Sequence, residues 1–99
     1  MSNETFGDYI KKARETMKLP LRKVAAHLDI DTSTLSKVER GDRPASPDYL
    51  KPLAAVLQLD LKEVQSKFIA DKINKDFGDM EHLTDGLKAA EQQIKKRKK

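Results

Sequence analysis

The chain has 99 residues and no cysteine, which fits a single domain and excludes both a disulfide framework and a thiolate metal site. Hydrophobic residues make up 37% and charged residues 36%, so a core is built economically from leucine, isoleucine, valine and alanine, as in a small helical bundle. The net charge of +4 comes entirely from Lys95 to Lys99, because residues 1–94 carry 15 basic against 16 acidic side chains. A basic face must then come from the placement of charges and not from their total. Between Lys18 and Lys51 seven basic residues stand against five acidic ones, a mild local excess.

Two histidines, His27 and His82, cannot complete a structural zinc shell, and His27 reads as a surface or interhelical residue, so no metal and no cofactor is expected. The longest wholly apolar run is Leu53 to Leu57, and the first dozen residues lack a charged start followed by an apolar stretch. Neither a membrane span nor a secretory leader is expected, which points to the cytoplasm.

Phe6, Ile10, Ala13 and Met17 recur at helical spacing and predict a first helix, capped by Thr5 with Asp8 at its third position. Leu19-Pro20 interrupts it. A second helix starts near Leu21, carries Val24, Ala25 and Leu28 inward, and lasts about two turns. The pattern restarts with Leu35 and Val38 in a third helix, capped by Asp31 and stopped by Gly41. Ser46-Pro47 opens a fourth, bearing Leu50, Leu53, Ala54 and Leu57, in which Pro52 should kink the helix or shift its start. Asp60 with Glu63 opens a fifth through Val64 and Phe68, continuing to Phe77, with Gly78 as its end.

Residues 79–99 follow a different pattern. Met80, Leu83, Leu87, Ala90 and Ile94 form a heptad-like stripe of about two repeats, with Thr84 or Asp85 as a cap and a Glu91–Lys95 pair one turn apart. This stripe can fold back on the domain, pair between subunits or dock a partner. The basic run after it reads as a solvated, disordered tail, with a phosphate-binding arm as the alternative. The expected architecture is all-α: a five-helix domain over residues 1–78 and a C-terminal helical extension with a basic end over residues 79–99.

Two short helices joined by a three-residue turn, the second ending at glycine and flanked by supporting helices, make a helix-turn-helix arrangement. It needs small Ala25 at the crossing, a turn residue tolerant of positive φ at Asp29, and apolar anchors at Leu28, Ile30, Leu35 and Val38. From about Tyr9 to Phe68, through LRKVAAHLDIDT (21–32), STLSKVERG (33–41) and RPASPDYL (43–50), the sequence resembles the Cro and lambda-repressor-like helix-turn-helix proteins, the XRE family. That resemblance implies the fold, binding of double-stranded DNA and dimerisation on a two-fold-related operator.

By position, the resemblance places Thr32, Ser33, Ser36 and Lys37 on the base-facing side of the recognition helix, with Lys37 the candidate for a guanine contact. Arg40 and Arg43 match positions near the DNA backbone, and the helix start after Ser46 can direct N–H groups at a phosphate. Arg14 and Glu39 fall where the family often has an ion pair between the first and third helices, a structural role. Thr34 is left out of the contacts as a support of the first turn. The chain departs from the family pattern at Leu21, where a phosphate-binding glutamine is common, and at Pro20, where serine is. Arg22 or Lys23 can take over that anchor. Glycine is usual where this chain has Asp29 and Gln58.

No Gly-rich phosphate loop, nucleophile elbow or carboxylate–histidine cluster is present in the sequence, so no catalytic residue is expected and the chain does not read as an enzyme. The expected function is that of a sequence-specific transcriptional regulator, a nucleoid-associated repressor acting as a homodimer on a near-palindrome. The alternative is a protein-interaction module, such as an antitoxin or bridging co-regulator, that binds a protein partner through residues 79–99.

Overall fold

The computed structural model describes residues 4–98. Residues 1–3 and Lys99, the last of the basic run, lie outside that range. The described residues form six α-helices and one 3-10 turn and contain no strand. Helix α1 spans Phe6–Thr16, α2 Leu21–His27, α3 Thr32–Arg40, α4 Leu50–Val56, α5 Leu61–Phe77 and α6 Leu83–Arg97; the 3-10 turn is Pro47–Tyr49.

The helix starts follow local chemistry. Thr5 and Asp8 make a reciprocal capping box at the head of α1. The Asp31 carboxylate accepts the Thr34 N–H at 2.8 Å to cap α3, and Asp60 accepts from Lys62 to cap α5. Ser46 caps only the 3-10 turn, accepting from Asp48, and α4 begins at Leu50. Pro52 therefore occupies the first turn of α4, where its missing N–H has no intrahelical partner to lose, and the start of the helix is shifted.

Four helix ends share one device. At Lys18, Asp29, Gly41 and Gln58 the chain turns left-handed, with φ of 57°, 57°, 81° and 55°. The next residue donates its N–H back across the turn: Leu19 to Arg14, Ile30 to Ala25, Asp42 to Lys37 and Leu59 to Ala54. Leu19, Ile30 and Leu59 then pack on the core, so the turn also adds an apolar contact. Gly78 differs: it ends α5 with φ −57°, without the left-handed turn.

The core gathers Phe6 and Ile10 from α1, Val24, Ala25 and Leu28 from α2 and its end, and Leu35 and Val38 from α3. Leu50, Leu53, Ala54 and Leu57 join from α4, and Val64 from α5. Leu35 and Val64 are completely buried, each contributing roughly 1.5–3 kcal/mol relative to exposure. Helix α1 approaches α3 so closely that a Cβ on Gly7 would lie 2.3 Å from the Glu39 carbonyl oxygen. Phe6 meets Phe68 edge-on at 5.5 Å between ring centroids, which fastens α5 to α1.

Beyond Phe68, α5 leaves the core, and α6 turns back beside it with none of its residues buried. Helix α6 starts at Leu83 behind His82, which supplies no side-chain cap, so Thr84 and Asp85 lie inside the first turn and do not cap it. It continues through Arg97, so Lys95, Lys96 and Arg97 are helical where a disordered tail was expected. Among the described residues no helix is long and apolar enough to cross a membrane.

Candidate nucleic-acid interface

Helix α3 has two distinct sides. Leu35, Val38 and Glu39 are buried, while Thr32, Ser33, Lys37 and Arg40 are exposed and Ser36 is half-buried. At 100° per residue the second group covers roughly 140° of the helix circumference, a continuous strip of hydroxyls and cations.

The buried side is fixed by charge as well as packing. Arg14 on α1 donates from Nε to Glu39 Oε2 at 2.7 Å and from a terminal nitrogen to Oε1 at 3.0 Å. Its third nitrogen donates to the Leu19 carbonyl at 2.9 Å, beyond the end of α1. The bond to Glu39 stabilises the charged guanidinium and raises its pKa above the ordinary arginine value, outweighing the burial that acts against it. No buried side-chain nitrogen or oxygen among the described residues is left without a partner. The pair joins the first and third helices on the buried side of α3.

The cap at the other end is also charged. Asp31 is held below the usual carboxylate range by its bonds from Thr34 first, then from the Ser33 hydroxyl at 3.1 Å, with a weaker pull from the Arg43 charge. It thus stays ionised at the positive end of the helix dipole.

On the strip, Arg40 donates to Ser36 Oγ at 3.0 Å and to Asp42 at 3.1 Å. Ser33 and Ser36 are therefore already engaged inside the protein. Among the described residues, neither Lys37 nor Arg22, Lys23 or Arg43 is held by an ion pair or a side-chain hydrogen bond; all four are exposed. Arg22 and Lys23 lie in the first turn of α2, whose preceding Pro20 offers no side-chain cap. Arg43 and Ser46 occupy the loop after α3, and the Ser46 oxygen is committed to the 3-10 turn. The arrangement places hydrogen-bond donors and positive charges on the exposed side of α3.

Three contributors escape sequence reasoning. Gly7 admits α3, and its only signal is a glycine inside the α1 pattern. Tyr9 donates to Glu63 at 2.6 Å beneath the Lys67 ammonium, across 54 residues of chain, with no local signal at all. Asp42, the internal partner of Arg40, reads in sequence only as a loop residue.

A two-helix reader resting on a helical scaffold is the form of a helix-turn-helix domain. The helix-turn-helix family model matches residues 10–64, more than half of the chain, and the protein belongs to that family. It is 32% identical over 62 residues to a protein of Bacillus subtilis (strain 168) described as the uncharacterized HTH-type transcriptional regulator RghRB. The match takes in 62% of this chain and 45% of that protein, so the chain spans less than half of the relative's length. No solved structure matches the chain.

Proposed function

We propose that the protein binds double-stranded DNA in a sequence-dependent way, as a homodimer on a near-palindromic operator, and represses transcription at the nucleoid. The observation that carries this reading is the exposed strip of α3, with the buried side of that helix locked by core packing and by the Arg14–Glu39 pair. Such a helix fits a major groove about 12 Å wide, and two copies read half-sites about 34 Å apart.

In this reading Lys37, unpaired and exposed, donates to guanine O6 or N7, and Thr32, Ser33 and Ser36 line the same edge. Arg22, Lys23, Arg40, Arg43 and Ser46 approach the phosphates and set register. Ser36 and Arg40 must exchange their mutual bond for DNA, so their contribution to affinity is the difference between the two partners.

The testing experiment is selection from a random duplex pool by the purified chain at about 150 mM salt, followed by binding to a scrambled site. A two-fold-symmetric site preferred by at least about a thousandfold supports the reading. Weak binding without an enriched site, vanishing as salt rises, rejects it.

A further inference from the structure

We propose that the open face of the α5–α6 hairpin is the self-association surface, with α6 packing antiparallel against α6 of a second copy across a two-fold axis at Leu87. This rests on the homodimer reading and assigns the surface that reading lacks.

The exposed large hydrophobic residues among those described are Ile69, Phe77, Met80, Leu87 and Ile94, and all belong to this hairpin or its connection. Between the end of α5 and the first half of α6, Phe77, Met80 and Leu87 line an open apolar groove of about 580 Å³ together with Ile73 and Leu83. A contiguous apolar face of this kind marks an interaction site.

Three features select a second copy as the occupant. The apolar stripe is close to symmetric in sequence about Leu87, since Ile94 on α6 and Met80, three residues before α6 begins, each stand seven residues away. Antiparallel pairing about Leu87 sets Leu87 against the partner subunit's Leu87 and Met80 against the partner subunit's Ile94, with Leu83 and Ala90, four and three residues from the axis, flanking the central contact. The charges are also self-complementary. Asp79, Glu81 and Asp85 precede or open α6, whereas Lys95, Lys96, Arg97 and Lys98 close it, so an antiparallel pair joins opposite charges at both ends and a parallel pair stacks cations. Finally, Gly86 adjoins the axis with nothing within 4 Å of where its Cβ would be. No neighbour in the chain requires glycine there, and the missing side chain lets a second helix backbone approach closely.

The chain has no cysteine, so single introduced cysteines report which residues meet. Under mild oxidation of the full chain, Leu87→Cys is expected to give a disulfide-linked dimer and Gln92→Cys, on the opposite side of α6, to give none. A mixture of Met80→Cys and Ile94→Cys should cross-link, and neither variant alone. Leu87→Glu should lower the sedimentation mass from twice 11.2 kDa to 11.2 kDa, with the melting of the domain core unchanged because Leu87 is outside it.

Cross-linking by Met80→Cys alone would overturn the antiparallel arrangement. A dimer that persists in Leu87→Glu, still covering a symmetric DNA site, would overturn this surface and leave the homodimer reading standing. A wild-type chain that sediments as a monomer, alone and on DNA, would remove both and give the hairpin to a different protein partner.

Discussion

The guanidinium of Arg14 and the carboxylate of Glu39 form a two-bond ion pair, 11% and 5% exposed at their side chains, that ties α1 to the buried side of α3. Each charge is compensated mainly by the other and, for Arg14, also by the Leu19 carbonyl and the nearby Glu15 charge. Removing one partner leaves the other buried without its main compensation, so Arg14→Met or Glu39→Leu should destabilise the fold by about 3–5 kcal/mol. The double replacement Arg14→Met with Glu39→Leu should recover most of that loss. Urea denaturation of the four proteins checks it; an additive double variant would mean that the pair is not coupled.

Gly7 is the tightest point of the same interface. Gly7→Ala would bring a methyl group to 2.3 Å from one carbonyl oxygen and 2.7 Å from the next. Both neighbours are backbone and cannot rotate away, so α3 has to move. A loss of about 1–3 kcal/mol is expected, the scale of an overpacked core. A thermal midpoint within a degree of wild type would show that α1 and α3 separate without strain.

Lys37 and Arg40 differ in their partners. Lys37→Ala should cost about 1–3 kcal/mol on the selected operator, with little change on scrambled DNA and relaxed preference at one base position. Arg40→Ala should lower both affinities together and reduce the logarithmic salt slope by about 0.9. Because Asp42 holds Arg40 at 3.1 Å, Asp42→Asn frees the guanidinium and should strengthen binding to any sequence. Equal losses for Lys37→Ala on both DNAs would reassign Lys37 to the backbone.

The left-handed helix ends give a stability prediction of opposite sign. Gln58 holds φ 55° without glycine's freedom, a strain of roughly 1–2 kcal/mol that is partly offset by the larger entropy of glycine in the unfolded chain. Gln58→Gly should raise stability by up to about 1 kcal/mol, and Asp29→Gly by less, since aspartate tolerates this region better. Matched thermal melts of the two variants decide the order.

Tyr9 makes stability depend on alkaline pH. Burial first, and then the bond to the Glu63 carboxylate, push its pKa above the ordinary tyrosine value. A group raised in the fold contributes stability fully below its unfolded pKa, near 10, and that contribution falls as pH rises toward the folded value. The wild type should therefore lose stability above about pH 10 more steeply than Tyr9→Phe. Tyr49 is present in both proteins, so the difference isolates Tyr9; parallel curves would show that neither the burial of Tyr9 nor its bond to Glu63 persists in solution.

The readable part of this protein lies within one or two turns of chain. Thr5 with Asp8, Asp31 before Thr34, and the apolar periodicities of α1 to α4 determine where helices start and which side each buries, because a cap or an i, i+4 contact joins residues whose separation the backbone already fixes. The strip on α3 follows from the same periodicity once Leu35 and Val38 point inward. Only the tertiary structure decided that Gly7 must lack a side chain, that Glu63 receives the Tyr9 proton donor, and that Arg40 and Ser36 hold each other with Asp42. The helical pattern of the C-terminal segment was legible in the sequence, but its placement as α6 beside α5 with its apolar side open was not. Those contacts depend on the distance at which separately formed helices dock, and that distance is set by the summed packing of the whole core and not by any local stretch of sequence.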